Sequence, residues 1–428
     1  MKEKILNINV KILNNSFSAG RIIGHPLFSG SFFMIIGANF ANFIAYIYHL
    51  ILGRLLGPAS YGELVTTISL IGLIMSAFSF FSMVIVKFVS SAQEKDIPVV
   101  LGWFNRKVIK SSLVLSLLIW LASPFIGSYV HLPKNITILF APILFFSMIN
   151  LVYRSFLSGL LKFKETAILS NIEMLGRLLF GLVFIYLNMQ VFGAILGMLI
   201  SVMCGVLLTK YYLRDTGFSN EGLEGFNLKK VMSYALPVFI VSFSFTSLLS
   251  ADLIMVKHFF SSHDAGIYGS VSTLGKIIFY GVSPIGSVMF PIIAKKRSRK
   301  ESFVNIFLLS AVLVSGLGFG VLVIYYLFPS LIINILYGSE FLEGSRYIFL
   351  MGLYYIFYSL ANLMSSFLLS IDLVKPLMVL PFFAVLQVIT IYFLHTSFSL
   401  VIASSMLAVS LLLAYLGLYF AYAKKRSS

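Results

Sequence analysis

Charged residues are scarce in this sequence: Asp, Glu, Lys and Arg make up 11% of its 428 residues, whereas soluble domains average about 25%. Cysteine and tryptophan are also rare, with one Cys and two Trp. The single cysteine, Cys204, excludes a disulfide-based scaffold. In contrast, 59% of the residues are hydrophobic and the mean hydropathy is +0.98. This composition excludes a water-soluble domain and a disordered chain, and it predicts an integral membrane protein from end to end.

The usual sequence signatures of enzymes are absent. The sequence contains no G-x-x-x-x-G-K-[ST] phosphate loop, no H-E-x-x-H zinc helix, no C-x-x-C pair and no G-x-S-x-G elbow. Its six histidines have no spacing that is typical of metal ligands. We therefore expect a protein that is not an enzyme and that uses neither a cofactor nor a metal.

Long apolar runs cover almost the whole chain. A helix needs about 20 apolar residues to cross the hydrocarbon core of a bilayer, and twelve runs satisfy this, with boundaries uncertain by about four residues. They lie near residues 29–52, 64–86, 108–130, 136–158, 167–187, 190–212, 231–256, 266–290, 303–328, 346–371, 375–394 and 398–422. The sequence thus predicts an all-α, multi-pass membrane protein with twelve transmembrane helices.

The net charge of +16 reflects topology. With a cytoplasmic N-terminus, 25 of the 31 Lys and Arg residues fall on the inner side, and four (Arg54, Lys134, Lys257 and Arg346) fall on the outer side. Because inner loops of membrane proteins are enriched in Lys and Arg, we expect both termini to be cytoplasmic and the protein to lie in the plasma (inner) membrane. Nucleic acid is not expected as a partner, whereas membrane lipid is.

A hydrophilic stretch divides the chain into two halves of six spans each. We predict a cytoplasmic N-terminal segment at 1–28, an N-lobe at 29–213, a cytoplasmic linker at 214–230, a C-lobe at 231–423 and a basic tail at 424–428. Six spans per half place both halves in the same orientation, so that an internal repeat would be parallel. The segments 54–62 and 258–266 match at the same junction of each half, which favours such a repeat.

Two cations lie within the spans, where an ionisable side chain is costly and usually faces a cavity. In the fifth span, Glu173 and Arg177 are four residues apart and can pair on one helix face. Such a pair would either fasten this helix structurally or hold Arg177 ready for an anionic substrate. In the eighth span, Lys276 is followed by Tyr280 on the same face, and it either lines a cavity or lies beside a structural partner. Asp252 in the seventh span is a candidate for that partner, or for a proton or cation site, and Glu173 is the other candidate for an ion-coupling site.

Other polar residues form a second group of candidates. The first span carries Asn39, Asn42, Tyr46 and His49 on one face, which indicates either hydrogen bonding between helices or the wall of a hydrated cavity. Three further cations are weaker candidates for drawing in an anionic substrate: Lys87, Arg154 and Arg54.

Three segments resemble a known family. Residues 52–62 (LGRLLGPASYG) are similar to the first-loop signature of the polysaccharide (O-antigen, Wzx-type) flippases, in the multidrug/oligosaccharidyl-lipid/polysaccharide exporter superfamily. Residues 157–164 (LSGLLKFK) are similar to the G-x-x-[KR]-F segment of that family, and Asp252 with residues 264–268 (DAGIY) resembles its seventh and eighth spans. The sequence departs from the family pattern at one place: Phe260 and Ser261 stand where the family usually has Leu-Gly, before the turn of the second half.

This resemblance implies two six-helix lobes around a central cavity, with alternating access that moves a lipid-pyrophosphate-linked oligosaccharide from the inner to the outer leaflet. It places Lys276, Asp252, Asn39 and Asn42 in the cavity, with Arg177 in the first lobe. Expected partners are a polyprenyl-pyrophosphate-linked glycan and other membrane proteins of polysaccharide assembly. A drug or cation antiporter of the same superfamily is the alternative. A membrane glycosyltransferase or polymerase is a further one, although no outer segment exceeds about 20 residues.

Overall fold

The computed structural model describes residues 26–219, 228–299 and 301–427, and in these ranges all regular secondary structure is helical. The N-terminal segment before residue 26 and residues 220–227 of the predicted linker lie outside the described residues. The helices are α1 (Pro26–Ser76), α2 (Ser79–Ser91), α3 (Ile97–Tyr129), α4 (Lys134–Thr137), α5 (Phe140–Gly159), α6 (Phe163–Tyr186), α7 (Gln190–Tyr212), α8 (Leu228–Phe259), α9 (Ser262–Ser298), α10 (Val304–Leu327), α11 (Pro329–Leu336), α12 (Ile348–Ser370), α13 (Leu380–Phe393) and α14 (Phe398–Ser427).

Eleven helical segments of the described chain are long and apolar enough to cross a membrane. The first of them, Asn39–Ser76, contains Gly57 in a non-helical conformation, with φ 70° and ψ 171°. Positive φ suits glycine because it has no Cβ. Since the first predicted span ends before Gly57 and the second begins after it, these eleven segments overlap all twelve predicted spans. The predicted all-α, twelve-helix, two-lobe membrane fold is confirmed.

The structure differs from the predicted spans in detail. The second span is divided at residues 77–78, so that its first part belongs to α1 and its second part is α2. The third span begins at Ile97, eleven residues before the expected start, because the helix continues through the polar residues Asn105, Arg106 and Lys107 that precede the expected span. A short helix, α11, and a 3₁₀ segment at Ser339–Tyr347 occupy the connection between the ninth and tenth spans.

Helices of each half pack chiefly on one another. In the first half, α6 packs against α1 and α7, and α5 packs against α2, α3 and α7. In the second half, α12 packs against α9, α10 and α14, and α8 packs against α13. The two halves meet where α1 contacts α8 and α9 and where α2 contacts α8. The first two helices of each half therefore form the junction between the lobes.

The matching segments of the two halves contact each other at one end of this junction, which we call the outer end because the charge distribution predicts it to be extracytoplasmic. Gly62 and Gly266 pack with their backbones together: a Cβ added to Gly62 would lie 2.7 Å from the Gly266 nitrogen, and one added to Gly266 would collide with the Pro58 carbonyl. Only glycine permits this approach. The repeated glycine thus closes the outer end.

Candidate functional site

A cavity of about 430 Å³ lies between the lobes, beneath the closed outer end. Both parts of α1 line it together with α6, α8 and α9. Its polar lining residues are Asn42, Tyr46, His49, Ser69, Arg177, Thr246, Ser250, Thr273, Lys276 and Tyr280. Among the sequence-predicted candidates, the structure therefore brings Asn42, Tyr46, Arg177, Lys276 and Tyr280 together in this central cavity.

Arg177 reaches the central cavity from α6, and its guanidinium carbon lies 4.4 Å from the centre of the Tyr48 ring. This cation–π contact holds the head group without using its N–H donors. The Nε and Nη2 atoms are buried and have no hydrogen-bond partner among the described residues. The hydroxyl of Tyr46, another lining residue, is also buried without a partner. Buried donors are nearly always satisfied in proteins, so these atoms are exceptional among the described residues.

The predicted pairing of Glu173 with Arg177 is wrong. Glu173 instead accepts a hydrogen bond of 2.6 Å from Arg154 and another of 2.6 Å from Asn150, both to the same oxygen, Oε2. Asn150 and Arg154 are one turn apart on α5 and point together at α6, and an Arg on a facing helix reaches the carboxylate with better geometry than the next turn of its own helix. Arg154 is therefore neutralised, whereas Arg177 has no acidic partner within 4.0 Å among the described residues.

This ion pair lies in a second cavity of about 370 Å³, the N-lobe pocket. Its lining residues come from α2, α5 and α6, and they are Ser82, Ser147, Asn150, Leu151, Arg154, Ser155, Ser158, Thr166 and Glu173. The residues from α5 recur every three or four positions, which places them on one face. That periodicity is visible in the sequence as a polar stripe, and it could have indicated the pocket.

Lys276 and Tyr280 lie on the opposite wall of the central cavity, on α9. Lys276 forms no ion pair within 4.0 Å among the described residues, so the expectation of a directly paired structural partner is not met. Ser272, one turn earlier, turns into the C-lobe and shares a hydrogen bond of 3.2 Å with Tyr355. The cationic lining of the cavity thus comes from both lobes, with Arg177 on one side and Lys276 on the other.

Asp252 does not line the central cavity. It is fully buried between α8 and α9, where the Tyr268 hydroxyl donates to its Oδ2 atom at 2.7 Å. Its Oδ1 atom has no hydrogen-bond partner among the described residues. The Oε1 atom of Gln387, a fully buried residue of α13 that the sequence did not single out, is also without a partner. Two unfilled acceptors inside the C-lobe are compatible with a proton or cation, which is the class of ligand expected for Asp252.

The remaining candidates, Asn39, Lys87 and Arg54, lie outside the central cavity. Asn39, at the start of the polar stripe of α1, is exposed and is not among the cavity-lining residues. Lys87 is exposed near the end of α2. Arg54 is at the outer end, where its guanidinium donates to the Asn334 carbonyl at 3.0 Å and to the Ile335 carbonyl. Both carbonyls belong to the last turn of α11, so Arg54 satisfies a helix C-terminus and links the lobes.

Further bonds between the lobes at the outer end were not predicted. Lys257 is fully buried and donates to the His131 carbonyl at 3.0 Å and to the Ser262 hydroxyl at 2.9 Å. His258 stacks on Tyr129 with ring centres 4.0 Å apart. The sequence places Lys257 on the outer side as one of four scattered cations, and only packing shows that it bonds across the junction.

His49 and Tyr61 connect the outer end to the central cavity. The Tyr61 hydroxyl hydrogen-bonds to His49 Nδ1 at 3.2 Å, to the Thr273 hydroxyl at 3.3 Å and to the Tyr337 hydroxyl at 3.1 Å. His49 and Thr273 also line the cavity. The Tyr61 hydroxyl therefore joins two cavity-lining residues to Tyr337 of the C-lobe.

Groups of three or more His, Cys, Asp or Glu that could hold a metal ion are absent from ranges 26–219, 228–299 and 301–427. The central cavity offers a set of hydrogen-bonding groups and two cations between the two lobes. Such a lining binds a polar, anionic group reversibly.

Comparisons with known proteins agree with this architecture. A solved inward-facing multidrug resistance MATE family transporter of the MOP superfamily superposes with a TM-score of 0.71 at 16% identity, covering 89% of this chain and 96% of that one. An outward-facing structure of such a transporter gives a TM-score of 0.63 at 14% identity, covering 93% and 95%. For a MOP superfamily transporter from Pyrococcus furiosus, described by a reverse polarity of its binding pocket, the TM-score is 0.61 at 15% identity, covering 92% and 96%.

The sequence itself matches a family and a relative. An uncharacterized membrane protein of Methanocaldococcus jannaschii is 23% identical over 310 residues, which is 67% of this chain and 73% of that protein. The model of the family described as polysaccharide biosynthesis protein matches residues 27–297, more than half of the chain. As the motifs at residues 52–62, 157–164 and 264–268 predict, the chain belongs to the polysaccharide biosynthesis protein family.

Proposed function

We propose that this protein is a flippase that moves a lipid-pyrophosphate-linked oligosaccharide from the inner to the outer leaflet for polysaccharide biosynthesis. The observation that carries the proposal is Arg177, a buried cation whose Nε and Nη2 donors have no partner and which lines the same cavity as Lys276. An unpaired buried charge is costly, so that its retention in a cavity calls for an anion that binds there. A diphosphate supplies that anion.

The mechanism proposed is alternating access without covalent chemistry. A diphosphate held by Arg177 on α6 and Lys276 on α9 would contact both lobes at once, and binding would therefore favour one arrangement of the lobes over another. The outer end is closed by the glycine contact of Gly62 with Gly266 and by Lys257. Opening it and closing the inner side would expose the substrate to the outer leaflet.

Transport of this kind is proposed to draw on an ion gradient through Asp252. Its buried carboxylate accepts one hydrogen bond from Tyr268, and its other oxygen has no hydrogen-bond partner among the described residues. Tyr268 lies in the second turn of α9, the helix that carries Lys276. Protonation or cation binding at Asp252 would therefore change the charge beside α9. We propose the plasma (inner) membrane as the location with both termini cytoplasmic, and other membrane proteins of polysaccharide assembly as partners.

The proposal is tested by reconstituting the full chain in liposomes with a fluorescent farnesyl diphosphate that bears a sugar. Accessibility to an external quencher reports transfer between leaflets. We expect protein-dependent transfer that is lost in Lys276→Met, with Ser128→Leu on the exposed face of α3 as the control. Transfer of an organic cation with no transfer of the lipid would instead favour the drug or cation antiporter. Release of a free sugar or a lengthened glycan would favour a glycosyltransferase or polymerase.

The coupling is tested with Asp252→Asn in the same liposomes, with proton and sodium gradients imposed in turn. Asn keeps an oxygen for Tyr268 and removes the charge. In the unaltered protein we expect one of the two gradients to raise the rate of transfer. In the variant we expect the rate with that gradient to equal the rate without it, while the purified variant keeps its melting temperature within about 2 °C. Undiminished stimulation would remove Asp252 from the coupling.

A further inference from the structure

The N-lobe pocket is chemically unlike the central cavity. Eight of its nine lining residues are polar, and its one full cation, Arg154, is neutralised by Glu173 at 2.6 Å. A free anion would gain little from a neutralised Arg, and an organic cation would need an unpaired carboxylate. A neutral ligand with many hydroxyl groups fits this lining best, since it can donate to acceptors and accept from donors.

Several hydrogen-bonding groups in the N-lobe pocket are free. Asn150 and Arg154 both bind Glu173 through Oε2, which leaves Oε1 without a hydrogen bond among the described residues. Arg154 Nε is buried and has no partner. The hydroxyls of Ser147 and Ser158 likewise form no hydrogen bond within the described chain, although both line the pocket. The pocket thus presents a charged acceptor, Glu173 Oε1, beside hydroxyl groups that can donate or accept, and bonds to a charged group are stronger than neutral ones.

The position of the pocket relates it to the central cavity. Glu173 and Arg177 are one turn apart on α6, about 6 Å along the axis. On the predicted topology α6 runs from the inner to the outer side, so the N-lobe pocket lies inward of Arg177. A lipid-linked sugar in the inner leaflet has its sugar on the aqueous side of the diphosphate. A diphosphate at Arg177 would therefore present its first sugar to Glu173, Arg154 and Asn150.

The volume of the N-lobe pocket lies in the range of small-molecule binding sites. Small-molecule sites in proteins measure about 300–1,000 Å³, and the N-lobe pocket encloses about 370 Å³. Gly205 on α7 contributes to its shape, since a Cβ there would lie 2.9 Å from Glu173 Oε2 and 3.2 Å from Asn150 Nδ2. The absence of a side chain at this position leaves room for the carboxylate and amide that face the ligand.

From these observations we propose that the N-lobe pocket is a sugar subsite, which binds the first sugar of the lipid-diphosphate-linked glycan through Glu173, Arg154 and Asn150. This inference rests on the proposed function, because it takes the diphosphate to lie at Arg177. It adds a determinant of specificity: the central cavity recognises the diphosphate common to such lipids, and the N-lobe pocket distinguishes the sugars that they carry.

The test compares two probes on the purified full chain: farnesyl diphosphate without sugar, and farnesyl diphosphate bearing glucose, galactose, N-acetylglucosamine or N-acetylgalactosamine. We expect at least one sugar-bearing probe to bind about tenfold or more tightly than the bare probe. Ser147→Leu and Ser158→Leu fill the N-lobe pocket without removing a described hydrogen bond. Each should abolish the advantage of the sugar-bearing probe and leave the affinity for the bare probe unchanged, whereas Ser128→Leu should alter neither.

A labelling experiment gives an independent reading. Ser158→Cys, in a chain that also carries Cys204→Ser, should react with a water-soluble maleimide, and the preferred sugar-bearing probe should slow this reaction while the bare probe does not. Equal binding of all five probes by the unaltered protein, or equal protection by bare and sugar-bearing probes, would overturn the sugar subsite and leave the proposed flippase standing. If no probe binds, or if Arg177→Met binds the bare probe normally, the proposed function itself fails.

Discussion

Two arginines of the N-lobe, Arg154 and Arg177, differ in how their charge is satisfied. Arg154, on α5, donates to the Glu173 carboxylate at 2.6 Å, to the Ser170 hydroxyl at 2.9 Å and to the Leu169 carbonyl at 3.1 Å. Arg177, on α6, has a cation–π contact with Tyr48 and two buried donors without partners. A side chain with fixed partners stabilises the fold or shapes a pocket, whereas one with unfilled donors is available to a ligand.

This difference leads to opposite expectations for stability and binding. Breaking a buried ion pair leaves the partner charge uncompensated and is strongly destabilising. Removing a buried charge that has no partner relieves a desolvation cost instead. The two arginines can therefore be distinguished by measuring unfolding and ligand binding on the same variants.

The largest effect is expected for Arg177→Met on binding. Truncating a desolvated charge that bonds an opposite charge costs about 2–5 kcal/mol, so the affinity for farnesyl diphosphate should fall roughly 30-fold or more. The free energy of unfolding should change by less than about 1 kcal/mol, because only the contact with Tyr48 is lost. Titration of the purified protein and its thermal unfolding in detergent check the two halves of this prediction. A large loss of stability with unchanged affinity would assign Arg177 the role of Arg154.

The next effect is expected for Glu173→Gln on stability. The side chains of Arg154 and Glu173 are 21% and 17% exposed, so the full cost of a broken buried pair is reduced by solvent, and we expect a loss of about 2 kcal/mol. The affinity for the bare farnesyl diphosphate should be unchanged. In a double-mutant cycle with Arg154→Met, the double variant should be more stable than the sum of the single changes indicates. If the losses of stability of the two single variants were strictly additive, the interaction between Glu173 and Arg154 would contribute nothing to stability.

A smaller effect is expected for Lys276→Met on binding. Lys276 offers a flexible ammonium, which binds phosphate as a point charge without the fixed geometry of a guanidinium. We expect the affinity for farnesyl diphosphate to fall about tenfold, which corresponds to about 1.4 kcal/mol. Lys276→Arg should restore most of it. If Lys276→Met reduced the affinity more than Arg177→Met, the C-lobe wall would be the main anion site.

The smallest effect is expected for Gly205→Ala. The added Cβ would lie 2.9 Å from Glu173 Oε2, which is too close, so the carboxylate must shift away from Arg154. We expect a loss of stability of about 1 kcal/mol, and no further loss when Gly205→Ala is combined with Glu173→Gln. Thermal unfolding of the three variants decides this. If the losses of stability of the two single variants added up in the double variant, the strain caused by Gly205→Ala would not act through the ion pair.

Sequence patterns were sufficient for the membrane fold, because crossing a bilayer requires long apolar runs whatever the tertiary contacts. They were also sufficient for the family, through the motifs at residues 52–62, 157–164 and 264–268. Arg177 and Lys276 were identified as candidates because a charge within a span is conspicuous. The division of the chain into lobes at 214–230 and the cytoplasmic location of the termini stay predictions.

Sequence patterns were insufficient where partners come from distant helices. Glu173 and Arg177 have ideal spacing for a pair on one helix, yet Glu173 binds Arg154, which is 19 residues away in the chain. The polar stripe of α1 was identified, but only Asn42, Tyr46 and His49 line the cavity. The role of Lys257 at the outer end depends on His131, 126 residues away, and no local pattern indicates such a contact.

The sequence by itself determined that the chain is helical, that it crosses a membrane repeatedly and that two of its cations lie within the spans, because apolar length and the cost of buried charge act on each helix separately. Tertiary structure decided which of those charges is neutralised. An ion pair depends on which side chains face each other across a helix interface, and that is fixed by packing. The same packing pairs Arg154 with Glu173 and leaves Arg177 without an acidic partner among the described residues.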